Sequence, residues 1–192
     1  MKKALVVFHS VCSSVYLMAK EYEKALQSCG IETDLFRVAG TEDESTAASY
    51  SISEECKAKI AAVPAIDSVD KLPEYDYVFI GTPVYLGNVS NAVKSFVEKF
   101  TKFWANSDLY GKPFGSFASC SGWQGGGDIC LQALNVSMMH MGLIPIPVAV
   151  VNKGATQPAY GILHNAGEDN TPPSEDTLLA IRDYVERMVK LF

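Results

Sequence analysis

A chain of 192 residues, 48% hydrophobic and 20% charged, has the make-up of a globular domain large enough for a continuous core. Its net charge of −6, with no basic stripe, argues against a nucleic-acid backbone as partner. No stretch approaches the ~20 apolar residues of a membrane span. The apolar run after Lys2-Lys3 ends at His9-Ser10, too short for a secretory leader.

Strand and helix signals alternate along the chain, the pattern of a doubly wound α/β domain. The first strand, Ala4 to His9, runs into Ser10-Val11-Cys12-Ser13-Ser14 and then an amphipathic helix. Val15, Met18, Tyr22, Ala25 and Cys29 recur at helical spacing, and Gly30 closes the helix. A second strand is expected over Ile31 to Val38. The stretch from Ala39 to Pro73 is irregular and rich in hydroxyl and acidic residues, with a short helix expected from Ser53 to Val63. It reads either as a partly ordered excursion or as a partner-facing insertion.

The third strand, Tyr77 to Ile80, meets Gly81-Thr82-Pro83-Val84-Tyr85-Leu86-Gly87-Asn88, read as a stiff turn. The next helix carries Val93, Phe96, Val97, Phe100 and Trp104 on one face. Phe114 to Ser119 forms a fourth strand, followed by Cys120-Ser121-Gly122-Trp123-Gln124-Gly125-Gly126-Gly127 and a helix from Asp128 to Met141 ended by Gly142. A strand is expected over Leu143 to Val151, then a second irregular stretch, Asn152 to Pro173, longer than an ordinary connection. The last helix starts near Ser174, with Glu175 and Asp176 in its positive first turn and Leu178, Ile181, Val185, Met188 and Phe192 on its buried face. No repeat or linker divides the chain, so residues 1–192 read as one domain.

Five cysteines without a C-x-x-C pair suit a reducing, cytoplasmic setting, and the three histidines, His9, His140 and His164, have no metal-ligand spacing, so no metal is expected. Ligands of an open parallel sheet sit beyond the carboxyl ends of its strands, where the three loops lie. In the first, hydroxyls of Ser10, Ser13 and Ser14 and N–H groups of the helix start suit an anion, although the serines equally suit plain helix capping. There is no G-x-G-x-x-G and no G-x-x-x-x-G-K-[ST], which disfavours a resident dinucleotide and a P-loop. The second loop is by itself readable as a turn with an incidental aromatic, Tyr85. The three glycines of the third allow close backbone approach to a flat ligand, or a mobile surface loop; Trp123 there either stacks on a ring or packs on a neighbour.

Gly81-Thr82-Pro83, Gly87-Asn88-Val89-Ser90, Phe96, Trp104-Ala105, Leu109-Tyr110-Gly111-Lys112, Gly125-Gly126-Gly127, Gly142, Pro145, Tyr160-Gly161, Ala166-Gly167, Asp169 and Pro173-Ser174 follow in one order. In this the chain resembles the WrbA family of flavodoxin-like NAD(P)H:quinone oxidoreductases over nearly its whole length, least from Ala39 to Pro73. The resemblance implies a flavodoxin-like three-layer α/β/α sandwich with a five-stranded parallel sheet of order 2-1-3-4-5. It also implies FMN as cofactor, NADH or NADPH as transient co-substrate, a quinone-like acceptor and a homotetramer.

Ser10, Cys12, Ser13, Ser14 and Val15 match the family's phosphate loop. Thr82, Pro83, Val84, Tyr85, Leu86 and Asn88 match one isoalloxazine loop; Ser119, Cys120, Ser121, Gly122, Trp123, Gly126 and Gly127 match the other. Trp104 matches a tryptophan beside the substrate pocket, contributed across a subunit contact, though it also continues a buried helical face. Met141, with His140 before it, stands where the family has a histidine near the flavin. The chain departs from the family at Cys12-Ser13, usually an aromatic and a glycine, and at Val84-Tyr85-Leu86, usually Thr-Arg-Phe.

The function read from this is hydride transfer from NAD(P)H through FMN to a quinone-like acceptor, with an FMN electron carrier of flavodoxin type as the alternative. The flavin carries the chemistry, and no catalytic side chain is named. A phosphoacceptor receiver on the same topology needs carboxylates after the first strand, where Phe8-His9-Ser10 offers none.

Overall fold

The computed structural model describes residues 1–39, 53–122 and 125–192. Alternation along the first strand decides the layering. In β1 (Lys3–Phe8), Ala4, Val6 and Phe8 point into one apolar cluster and Leu5 and Val7 into another, so a fully buried strand needs cover on both faces. Cover on the first face comes from α1 (Ser14–Ser28) and, at the far end of the chain, α5 (Glu175–Leu191), which bring Met18, Tyr22, Ile181 and Tyr184 onto Phe8, Phe79 and Phe117. On the second face, α3 (Asn91–Glu98) and α4 (Gly127–His140) set Val93, Phe96, Leu134 and Met138 against Leu5, Val78, Ile80 and Phe114.

The remaining strands are β2 (Glu32–Arg37), β3 (Tyr77–Tyr85), β4 (Asn88–Val89), β5 (Pro113–Cys120), β6 (Ile144–Pro145) and β7 (Ile162–Asn165). The parallel order is β2-β1-β3-β5-β6, with β7 also beside β5 and β4 antiparallel to β3. The expected 2-1-3-4-5 winding is therefore present, in seven strands rather than five. Glycine permits the tightest packing inside it. A Cβ on Gly81 would lie 2.1 Å from the Phe117 ring, and one on Gly115 would lie 2.5 Å from the Phe79 ring.

Of the two extra strands, β4 pairs back on β3 and β7 arises from a break in the expected fifth strand. Leu143 to Val151 is not one strand. After β6, Ile146 N–H still donates to Phe114 C=O, but Pro147 has no N–H and Val148 N–H turns to Ala159 C=O, so the chain leaves the sheet. It returns at Gly161, where a Cβ would lie 2.3 Å from Ser116 C=O, and β7 pairs Phe117 to Cys120 with Ile162 to Asn165. The fifth position in the sheet is thus filled by two pieces, and part of the stretch expected to be irregular is a strand.

The expected short helix appears as α2 (Glu54–Ala61), capped by the Ser53 side chain accepting from Cys56 N–H. Beyond it Ala65 bridges to Arg37 along the β2 edge. The remainder of the expected irregular stretch, residues 40–52, lies outside the described residues. Ser174 caps α5 as its sequence predicts, accepting from Thr177 N–H. Trp104 does not continue the buried face of α3. It follows a 3-10 turn, Lys99–Phe103, and is 70% exposed. Among the described residues no helix is long and apolar enough to cross a membrane.

Candidate cofactor site

The loops after β1, β3 and β5 converge, as their sequences predict, on one cleft at the carboxyl edge of the sheet. It encloses about 420 Å³, counting space open to solvent. Ser10, Val11, Cys12, Ser14 and Val15 line it from the first loop, Pro83, Val84 and Tyr85 from the second, and Ser119, Cys120 and Ser121 from the third.

The first loop is shaped for an anion. Ser10 Oγ accepts Tyr16 N–H at 3.2 Å, and Ser14 N–H donates to Cys12 C=O at 2.9 Å, which wraps the chain around the start of α1. The N–H groups of Val11, Cys12, Ser13 and Val15 find no backbone acceptor among the described residues. Ser14 Oγ lines the cleft, is buried to 3% exposure, and has no hydrogen-bond partner among the described residues. A buried hydroxyl without a partner is expensive, and here it stands at the positive end of a 15-residue helix. A terminal phosphate would satisfy it together with the N–H groups, so the donor set fits FMN. Ser13 has φ 67°, in the left-handed region that favours glycine.

The second loop is not a turn at Thr82-Pro83. β3 runs on to Tyr85, and the chain reverses only at Leu86-Gly87, with φ 53° and 72°, positive at both positions as in a type I′ hairpin. Pro83 is tolerated because β1 has already left the sheet after Phe8, which pairs with Gly81. Thr82 is fully buried and holds the hairpin, Oγ1 accepting Ser90 N–H at 3.0 Å, rather than facing the cleft. Asn88 Oδ1 accepts Val89 N–H, and Leu86 points away into solvent.

In the third loop Gly122 C=O receives both the Cys120 thiol, at 3.3 Å, and Gly125 N–H, at 2.9 Å. Gly126 and Gly127 open α4, and a Cβ on Gly126 would lie 2.7 Å from Gly87 Cα. The hairpin and the third loop therefore meet backbone to backbone. Trp123 lies outside the described residues.

A fourth segment, absent from the sequence expectation for the site, completes the wall. Ala166 and Asn170 line the cleft. Ala166 N–H donates to Cys120 C=O, Thr171 N–H to Ala166 C=O, and His164 Nε2 lies 2.9 Å from Thr171 C=O. Burial lowers the His164 pKa, opposed by that bond to Thr171. Asn170 has φ 54° and hydrogen-bonds the Cys12 side chain. Of the four non-glycine residues with positive φ among those described, Asn170 lines the cleft, and Ser13 and Leu86 each follow a lining residue in the chain.

Burial disfavours the thiolate form of its cysteines. Burial pushes Cys12 up to about 11 against the Asn170 hydrogen bond. It also raises Cys120, helped by the Asp128 charge, and pushes neighbouring Cys130 up to about 12.

The structure does not bring Trp104, His140 or Met141 to the cleft of the same chain. α4 begins at the cleft and its 14 residues carry His140 roughly 20 Å away. Met141 is buried there with Met138 and Leu143, and His140 is exposed.

Residues 4–157 match the sequence model of a family described as NADPH-dependent FMN reductase. An NAD(P)H dehydrogenase (quinone) of Chromohalobacter salexigens is 28% identical over 191 residues, covering 95% of this chain and 92% of that protein. Another, of Nitrobacter winogradskyi, is 28% identical over 199 residues, covering 98% and 96%. Among solved structures, a flavodoxin described as a WrbA-like protein from Agrobacterium tumefaciens superposes with a TM-score of 0.64 at 20% identity, over 100% of this chain and 97% of that one.

Proposed function

The chain belongs to the NADPH-dependent FMN reductase family, and from that premise we propose that it is an FMN-dependent oxidoreductase passing electrons from NADH or NADPH to a quinone-type acceptor. The observation that carries the cofactor is the unpartnered Ser14 hydroxyl at the start of α1, beside N–H groups without backbone acceptors. The first loop and Ser14 hold the phosphate. Val84, Tyr85, Ser119 and Cys120 flank the ring, and Asn170 and Ala166 close the side toward β7. When bound, FMN supplies hydride acceptance and two-electron release, chemistry that this cleft, with its protonated thiols, has no side chain to perform.

The first loop is built around one terminal phosphate, with no glycine fingerprint for a pyrophosphate. FMN has about 30 heavy atoms, and roughly 0.3 kcal/mol for each gives about 9 kcal/mol, a sub-micromolar affinity. Fluorescence titration of apoprotein should show FMN binding in that range and FAD binding much more weakly. The FMN-loaded protein should oxidise at least one nicotinamide in the presence of benzoquinone. Equal affinity for FAD, or no flavin binding, would overturn the cofactor assignment; FMN binding without turnover would leave an electron carrier.

The 192 residues act as one FMN-binding domain, both apolar clusters lying on one sheet. Five free thiols suit the cytoplasm. A homotetramer accounts for Trp104 and Tyr110, both more than two-thirds exposed, together with exposed Val136 and Met139 on α4. In that assembly Trp104 and His140, both exposed, reach a flavin only from another subunit. Light scattering should give about four times 20.9 kDa; a monomer at micromolar concentration would remove this assembly.

A further inference from the structure

The fourth wall of the cleft has little packing to hold it shut. It is a six-residue excursion, Ala166 to Thr171, that leaves the end of β7. Ala166 is buried, but Glu168, Asp169 and Thr171 are exposed, so opening the excursion would uncover little apolar surface. Hydrogen bonds close it instead. Thr171 N–H and Oγ1 both donate to Ala166 C=O, at 2.8 and 2.9 Å, which draws the two ends together. Three more bonds tie it to the body of the fold. Ala166 N–H donates to Cys120 C=O at its start, Asn170 meets the Cys12 side chain near its tip, and His164 holds Thr171 C=O at its end.

His164 suits that last bond. It is 6% exposed and sits in β7 opposite Ser119, so its ring is fixed by the sheet. Nε2 lies 2.9 Å from a carbonyl, which only accepts, so Nε2 carries the proton. Burial lowers the pKa, which keeps the ring neutral at pH 7. Thr171 directly follows Asn170, so anchoring the one restrains the other. His164 itself is not among the residues lining the cleft, whereas Asn170 and Cys12 are.

We infer, on the FMN reading above, that His164 is a positioning residue: its bond to Thr171 keeps Asn170 on Cys12 and so keeps the fourth wall closed beside the phosphate loop. The test uses His164→Leu, which keeps bulk without the donor, and His164→Gln, whose amide can place an N–H near Nε2. Asn170→Gly deletes the contact with Cys12 and accepts the positive φ. FMN release from the holoprotein, followed by the fluorescence of free flavin, should be about fivefold faster in His164→Leu and in Asn170→Gly. His164→Gln should release FMN at nearly the wild-type rate. The double variant His164→Leu with Asn170→Gly should be no faster than either single, because one residue acts through the other; independent effects would multiply to about twenty-five-fold.

In FMN-free protein, iodoacetamide labelling of Cys12, read by peptide mass, should follow the same order, because release lessens the burial that disfavours its thiolate. Labelling of half-buried Cys29 should stay unchanged, which separates local opening from unfolding. If His164→Leu does not fold, His164→Asn, polar but too short to reach Thr171, takes its place with the same expectations. Multiplying effects, unmoved FMN release or unmoved Cys12 labelling in that variant, or a glutamine variant as fast as leucine, would overturn the inference. If the wild type binds no FMN, the cofactor reading falls and Cys12 labelling decides alone: a shared, non-multiplying acceleration keeps the role of His164, and any other pattern overturns it.

Discussion

Replacing His9 by phenylalanine should stabilise the protein at pH 7 by about 2 kcal/mol and remove a large part of its acid sensitivity. His9 is the residue after β1, 5% exposed, and neither ring nitrogen has a hydrogen-bond partner among the described residues. Burial depresses its pKa from 6.5 to about 4. Between those values the unfolded chain binds more protons than the folded one. The folded state therefore has its full stability above about pH 6.5 and loses it as the pH falls through the folded pKa. For His9 alone this amounts to about 2 kcal/mol between pH 7 and 5, and about 3 kcal/mol by pH 4. Urea denaturation of wild type and His9→Phe at pH 7 and pH 5 measures both effects. Parallel pH dependences with no gain at pH 7 would mean that the imidazole has partners in solution.

Ser14→Ala should act in opposite directions on apoprotein and complex. Its hydroxyl is buried without a partner in the ligand-free fold, so removing it should raise apoprotein stability by about 1 kcal/mol. The same change removes a donor to a charged phosphate, worth roughly 1.5–3 kcal/mol, so FMN affinity should fall tenfold or more. Riboflavin, lacking the phosphate, should bind both proteins equally. Ser10→Ala is the contrasting case. Ser10 Oγ already accepts Tyr16 N–H, so its loss should cost stability as well as FMN affinity. Denaturation of the apoproteins and parallel titrations with FMN and riboflavin separate the cases. An equal loss for riboflavin would show that the first loop does not hold the phosphate.

The layering and the position of the cleft were legible because they rest on periodicity. Strands buried on both faces give continuous apolar runs, helices repeat at 3.6, and both Gly30 and Ser174 mark helix ends by local chemistry. What escaped the sequence depends on partners distant in the chain. Leu143 to Val151 is apolar throughout, with prolines at 145 and 147 alike, and only the geometry shows that pairing stops at the second of them. β7 hid among glycines because its four residues carry too few alternations to register. The hairpin was hidden by its leucine, since a turn signal there would be Asn-Gly or Asp-Gly.

At the site, residues lining the cleft through the first loop, Val84-Tyr85 and Ser119 to Ser121 were found by strand-end position. Asn170 was not, because its role comes from folding over Cys12, more than 150 residues earlier in the chain. Family position placed His140 and Met141 at the flavin, yet the length of α4 puts them at the other end of their own subunit.

The division of the fifth strand separates two duties that an unbroken strand would combine. β6 closes the lower part of the β5 edge, while β7 alone carries Ala166 and Asn170 to the cleft. The chain between them is moored chiefly to α5, through Ala155 N–H to Asp176 C=O and Lys153 N–H to Asp183 Oδ2, and its tip at Val150-Val151 stands in solvent. Doubling a flexible loop costs only about 0.6 kcal/mol in closure entropy. Evolution or a designer can therefore lengthen, shorten or decorate this excursion while both sheet pairings stay in register, and descendants of the fold can acquire new attachments there without redesigning their redox centre.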